Sequence, residues 1–327
     1  MIRRLLPRSL AIAVAVLGVV AAVLWFTPSD HYLFLPDPAR PVDPLVSIPG
    51  ESEDEDSAGI YFLEVFVRKA SVLERIFPGL HQGASLVPDD VLNPRGLSFE
   101  ERRREGLNEM SASQQIAIAV ALRSLNYQVP ARGAEVGQVS VGFPADGKLE
   151  VGDVIVRARG QAVTSPRDLF RAMQSLEPGE RVTIIVLRSG KARELEVGTR
   201  ASSDDPQRAI MGVVVQPEFE FPIDVRIDAG NVTQSSAGLA FALDVVDELG
   251  RDVDAGRRVA VTGTLDLDGR VSAIGGIKQK TIGAEEAGAD VFVVPKANAD
   301  EARKYAEDME IVAVSSFDEA LSKLSTQ

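Results

Sequence analysis

The chain has 327 residues, 45% hydrophobic and 25% charged, a length that suits two or three domains better than one. A net charge of −13 argues against non-specific nucleic-acid binding, and the absence of cysteine removes disulfides, thiolate metal sites and cysteine nucleophiles together. Only two histidines occur, His31 and His81, which nearly excludes a multi-histidine zinc site and leaves a Ser-His-Asp triad short of partners; no metal or cofactor is expected.

Residues 1–8 carry Arg3, Arg4 and Arg8, and residues 9–26 contain no charge. Basic residues before an apolar run of that length fit either a secretory signal or a spanning helix. No A-x-A-like cleavage site follows, so the reading favours an uncleaved single-pass anchor over residues 9–27. Its arginines predict the N-terminus in the cytoplasm and the rest of the chain beyond the cytoplasmic membrane. Residues 32–50 hold five prolines and read as an extended lead-out, and the acidic run 51–56 reads as a solvated loop. Residues 60–67 have strand composition. Ser98 with Glu101 opens a charged helix through Glu105, and residues 111–125 form a second, more apolar one. Together residues 28–128 form a lead-out and helical region.

Residues 129–200 change character. A short strand at 136–141 is followed by F-P-A-D-G-K-L-E-V-G-D-V-I-V from Phe143, with turns at Gly147 and Gly152. Ser165-Pro166-Arg167-Asp168 is a helix start, and Leu169, Phe170, Met173 and Leu176 give that helix an apolar face. A strand at 181–187 and its hairpin partner close the unit. This order of elements, with G-K-L-E-V-G-D-V-I, resembles a PDZ domain. The resemblance implies a peptide groove between the strand at 134–140 and the helix at 165–176, lined by Gly133, Val136, Val139, Leu169 and Met173, with residues 131–133 meeting the peptide carboxylate. A PDZ fold used only for packing is the competing reading.

Residues 201–209 read as a linker, and residues 210–327 as a mixed α/β domain. Strands are expected at 211–215, 223–227, 259–265, 291–294 and 311–314. A helix follows Ser236 and ends at Gly250, others cover 277–287 and 298–308, and Ser316 with Glu319 caps the last. Asp268-Gly269 is a hairpin-type turn.

Within this domain D-A-G-N-V-T-Q-S-S-A-G-L begins at Asp228 and I-G-G-I-K-Q-K begins at Ile274. A serine hydroxyl becomes nucleophilic only when a neighbour takes its proton, and lysine can do so if burial lowers its pKa. Ile274, Ile277 and Ile282 supply an apolar setting for Lys280, and Ala237 and Gly238 leave backbone N–H groups beside Ser236 for an oxyanion. Taken alone, the serine also reads as a helix cap and the lysine as a solvated side chain.

S-S-A-G, V-T-G-T-L-D-L-D-G-R-V from Val261 and I-G-G-I-K-Q-K resemble, in order and separation, the proteolytic domain of Lon-type proteases. The resemblance implies Ser236 as nucleophile, Lys280 rather than Lys278 as base, and Thr262 as the residue that orients the lysine. The family's Gly-Pro before the nucleophile is replaced here by Gln234-Ser235, which makes Ser235 a rival candidate. The helix sequence S-A-S-Q-Q-I-A-I-A-V-A-L from Ser111 is similar to that of bacterial membrane-anchored, PDZ-containing Lon-domain proteins. No G-x-x-x-x-G-K-[ST] occurs in the 327 residues.

The sequence is thus read as an α/β (α+β) chain with an N-terminal transmembrane helix, a PDZ-like β-rich domain and a Lon-type proteolytic domain. The expected function is an ATP-independent, membrane-anchored serine endopeptidase of the envelope, with polypeptide substrates and no nucleic-acid partner. Homo-oligomerisation is implied by the resemblance alone. The alternative is an inactive PDZ scaffold or substrate-binding protein.

Overall fold

The computed structural model describes residues 8–49, 58–203, 205–230 and 232–325, the first four as backbone only. The acidic run 51–56 and residues 1–7 of the basic segment lie outside the described residues. Helix α1 (Arg8–Phe26) leads into strand β1 (Pro28–Pro36). Ile12, Val14, Leu17, Val19 and Phe26 on α1 face outward, although among the described residues no helix is long and apolar enough to cross a membrane.

The proline-rich lead-out is more ordered than its composition predicts. β1 pairs antiparallel with β3 (Val65–Ser71) on one side and β4 (Ser85–Pro88) on the other. Its prolines sit at Pro28 and Pro36, the strand ends, where a missing N–H costs no ladder bond. Between them in sequence, β2 (Gly59–Phe62) leaves this small sheet and enters another.

Helix α2 (Phe99–Ser124) is one continuous helix of 26 residues where two were expected. Ser98 caps it, with the Glu101 carboxylate accepting from the Ser98 N–H at 2.8 Å, and the stretch between the two expected halves holds no proline and a single glycine, Gly106, that stays helical. Gly106 lies against Thr233, where a Cβ would come within 2.7 Å of the threonine side chain, so this glycine serves close packing.

The next layer is β5 (Ala131–Val139), β6 (Val154–Ala158), α3 (Pro166–Met173), β7 (Arg181–Arg188) and β8 (Lys191–Gly198). The sheet runs β8-β7-β6-β5-β9, where β9 is Val213–Phe219. Residues assigned from sequence to the C-terminal domain therefore complete this sheet. They also correct the expected groove. β5 pairs with β6 on one edge and β9 on the other, so no further strand can join it. Val136 is fully buried in the core, and Gly133 is packed so closely on β6 that a Cβ would meet the Ile155 carbonyl at 2.7 Å; neither lines a groove. The edge strand is β9. Leu169 and Met173 of α3 share its core with Met211, Val213 and Val215.

The C-terminal domain adds α4 (Gly238–Glu248), β10 (Arg258–Val261), α5 (Ile277–Glu286), β11 (Val291–Pro295), β12 (Glu310–Val314) and α6 (Phe317–Ser325). Its sheet is β2-β10-β11-β12, all parallel, with residues 40–41 added antiparallel beyond β2. The expected strand at 259–265 is broken because Gly263, with φ +158, turns the chain between β10 and the hairpin of residues 264–265 and 271–272. The strand expected at 223–227 shrinks to Arg226–Ile227, and the helix at 298–308 to Ala299–Ala302. α4 is almost entirely buried between this sheet and α2, and apart from Asp244 its buried residues are apolar or glycine.

A buried serine-lysine pair

Ser236 lies in a 3-10 turn (Ser235–Ala237) that runs directly into α4. The turn packs against α2: a Cβ on Gly238 would come within 2.6 Å of Ser113 Oγ, and Ser113 Oγ donates to the Ser235 carbonyl at 3.2 Å. The Ser236 carbonyl accepts from the Gly263 N–H at 2.8 Å and from Thr262 Oγ1 at 3.4 Å. The nucleophile candidate is thereby fixed to the end of β10.

Lys280 lies on the first turn of α5, whose N-cap, Gly276, has φ +70. A side chain there would be strained and would meet Val65 Cγ2 at 2.8 Å, which accounts for the second glycine of the pair. The Asn298 side chain holds the same turn by accepting from the Ile274 N–H at 2.9 Å and donating to the Ile274 carbonyl at 3.1 Å.

The structure brings Ser236, Lys280 and Thr262 together. Lys280 Nζ stands 2.7 Å from Ser236 Oγ, 2.8 Å from the Leu63 carbonyl and 3.2 Å from Thr262 Oγ1. Relative exposures are 1% for Lys280, 9% for Ser236 and 0% for Thr262. Burial pushes the Lys280 pKa down to about 7, opposed by the charge of Glu64. Glu64 is itself raised by burial, with Arg40 3.2 Å away pulling the other way.

Valence fixes the direction of each bond. The Leu63 carbonyl can only accept, and Thr262 Oγ1 spends its proton on the Ser236 carbonyl, so it accepts from Nζ as well. A neutral amine has two N–H bonds and one lone pair. The lone pair is therefore left for the Ser236 hydroxyl, the polarity that general-base catalysis needs.

The other expected residues fare differently. Ala237 N–H faces the Gln234 carbonyl at 3.4 Å and Gly238 N–H donates to the Ser235 carbonyl, because a 3-10 turn uses each amide three residues back. Neither stands open for an oxyanion in this conformation, which corrects that expectation. Lys278 turns away and donates to the Ala84 carbonyl at 3.0 Å. Sequence reasoning missed Leu63, which contributes through a backbone carbonyl that any residue could supply. It also missed the contacts of Ser113, although the helix sequence around it had been singled out.

The edge strand β9 is tied to the same helix α2: Gln216 Nε2 donates to Glu135 Oε2 at 2.7 Å and lies 3.5 Å from Ser111 Oγ. The turn before β9 depends on Gly212, whose φ is +88 and whose added Cβ would overlap Phe143.

Two protein families match the chain, a PDZ domain over residues 96–199 and the Lon protease (S16) C-terminal proteolytic domain over residues 214–326. A Lon protease of Roseiflexus castenholzii is 36% identical over 108 residues, which is 31% of this chain and 13% of that protein. Lon protease 1 of Bacillus subtilis is 31% identical over 158 residues, 46% of this chain and 20% of that protein. The chain thus spans a fifth or less of the length of these relatives. Among solved structures, the PDZ domain of the SdrC-like protein from Listeria innocua matches 25% of this chain and 92% of its own, with 25% identity and a TM-score of 0.24. The chain is a mixed α/β protein that carries a PDZ domain and a Lon-type (S16) proteolytic domain.

Proposed function

We propose that this protein is a serine endopeptidase in which Ser236 attacks the peptide carbonyl and Lys280 is the base. The observation that carries the reading is the 2.7 Å contact between Lys280 Nζ and Ser236 Oγ, in a site where burial lowers the lysine pKa to about 7. As the Ser236 Oγ–C bond forms, its proton moves to the Nζ lone pair. The resulting ammonium has three N–H bonds, which match Leu63 O, Thr262 Oγ1 and Ser236 Oγ. It then gives a proton to the departing amine as the C–N bond breaks. In the second half water adds to the acyl carbon as Lys280 takes its proton, and the Ser236 Oγ–C bond then breaks as that proton passes to Oγ.

The chain supplies no P-loop of its own, so the substrates proposed are flexible or already unfolded polypeptides. An extended segment would add to the edge of β9 beside α3, entering past the Gly212 turn. Anchoring through α1 in the cytoplasmic membrane, N-terminus inside, is part of the proposal; the outward apolar side chains of that helix support it.

The test is incubation of the full chain with an unstructured protein, beside Ser236→Ala and Lys280→Ala. Cleavage by the wild type that is lost in both variants is the expected result. Cleavage that persists in both would sink the dyad. Wild-type inactivity toward several substrates would favour the scaffold alternative.

A further inference from the structure

Where the Lon-type motif has Gly-Pro, this chain has Gln234-Ser235. A Gly-Pro pair fixes the approach to the nucleophile by restricting one dihedral covalently. Two side-chain bonds occupy the corresponding place here. Gln234, extended at φ −100 and ψ 104, caps the 3-10 turn, and its Nε2 donates to the Val65 carbonyl at 3.1 Å. On the other side of the turn, Ser113 Oγ donates to the Ser235 carbonyl at 3.2 Å, and Ser113 is buried in α2. The turn is therefore suspended between α2 and the start of β3.

The identity of that segment gives the contact its meaning. Leu63 follows directly on β2 and Val65 opens β3, so their two carbonyls lie where the chain passes from one sheet to the other. Val65 O receives the Gln234 amide at 3.1 Å, and Leu63 O receives Lys280 Nζ at 2.8 Å. Val65 also packs against Gly276, the first fixed point of the helix that carries Lys280. This short link between the two sheets thus holds the turn of Ser236 by one carbonyl and Lys280 by the other.

We infer that Gln234 is a positioning residue that sets the Ser236–Lys280 spacing by bridging the nucleophile turn to the Leu63–Val65 segment, with Ser113 as its counter-hold. The inference rests on the peptidase reading for its kinetic consequence, but not for its geometric one. Loss of the amide would let the turn drift from Leu63–Val65, lengthen the Ser236–Lys280 contact and admit water to Nζ. Ground-state contacts with an extended substrate on β9 would be untouched.

The test uses the full chain and the variants Gln234→Ala, Gln234→Gly and Gln234→Gly with Ser235→Pro, with two readouts. In the first, kcat on an unstructured protein substrate falls about tenfold or more in both single variants, while KM stays within about twofold. Adding Ser235→Pro to Gln234→Gly restores most of the loss, a recovery that a general folding defect would not show. The second is NMR titration of the Lys280 side chain. Its midpoint, near 7 in the wild type, moves toward the ordinary lysine value of 10.5 in Gln234→Ala. Unchanged kcat together with an unchanged midpoint would overturn the inference, as would failure of the Gly-Pro pair to restore either readout. If the wild type cleaves nothing, the peptidase reading fails, and the titration still decides whether Gln234 holds the site.

Discussion

Lys280 Nζ donates to the carbonyl of Leu63 at 2.8 Å, across 217 positions of sequence. Residue 63 stands at the end of β2, which pairs in parallel with β10, the strand that runs into Thr262. The site is consequently built from both sides of the PDZ domain in the chain. Residues 28–128, expected to form a region apart, supply one strand of the C-terminal sheet, the lysine acceptor, and the helix that packs on the Ser236 turn. A fragment of residues 210–327 should fail to form the site even though it contains Ser236, Thr262 and Lys280. Circular dichroism with fluorophosphonate labelling checks this; a folded, labelling-competent fragment would count against it.

The pH dependence follows from the state of Lys280. A base must be neutral, so kcat/KM should rise with pH through a midpoint near 7. The Glu64 charge raises the lysine pKa, so Glu64→Gln should move the ascending limb to lower pH. The same shift acts on stability. Between about pH 7 and the ordinary lysine value of 10.5, the unfolded chain holds a proton on this side chain that the folded one lacks. This residue's contribution to stability therefore rises with pH across that window, which urea titrations of wild type and Lys280→Met would resolve.

Thr262 separates orientation from bulk. Thr262→Val keeps the shape but leaves a buried N–H of Lys280 without an acceptor, a loss of roughly 1–3 kcal/mol and hence about tenfold or more in kcat/KM. Thr262→Ser keeps the hydroxyl and should retain most of the activity. Steady-state kinetics of the two variants decides; equal losses would point to packing instead.

The two glycines of the I-G-G-I-K-Q-K motif should respond unequally. A Cβ on Gly275 meets nothing within 4 Å, whereas Gly276 has φ +70 and Val65 in the way. Gly276→Ala should cost about 1–2 kcal/mol from its backbone alone and reduce activity by displacing α5. Gly275→Ala should be nearly silent. Thermal melts of both variants, read beside cleavage rates, make the comparison.

At the PDZ domain, the edge of β9 rather than β5 is expected to take peptide. Gly212→Ala would drive its Cβ into Phe143 and disturb the turn that opens β9. Peptide binding, followed by fluorescence polarisation, should weaken, while reaction of Ser236 with a small fluorophosphonate should not change. Retention of full peptide affinity would contradict this assignment.

Much of the site could be read from the sequence because its chemistry lies in side chains within short motifs. Ser236, Thr262 and Lys280 each sit beside glycines or small residues that mark a turn, and the absence of a nearby histidine narrowed the choice of base. The PDZ groove was misplaced because β9 follows the linker, and local patterns do not reveal that a later strand completes an earlier sheet. The role of β2 was hidden for the same reason. Residues 60–67 read as one strand, but Leu63 and Glu64 interrupt it, and its two halves enter different sheets. The continuity of α2 was missed because charge and apolarity change along it at Ser111, which alters its surroundings but not its backbone.

The central claim is that a neutral, buried Lys280 activates Ser236. Its most direct measurement is the rate of covalent labelling by a fluorophosphonate as a function of pH, with the modified residue identified by mass spectrometry. The account predicts an adduct on Ser236, a rate that climbs through a midpoint near pH 7, and a loss of about a hundredfold or more in Lys280→Ala. An adduct on Ser235, or labelling of Ser236 at an undiminished rate in Lys280→Ala, would contradict it.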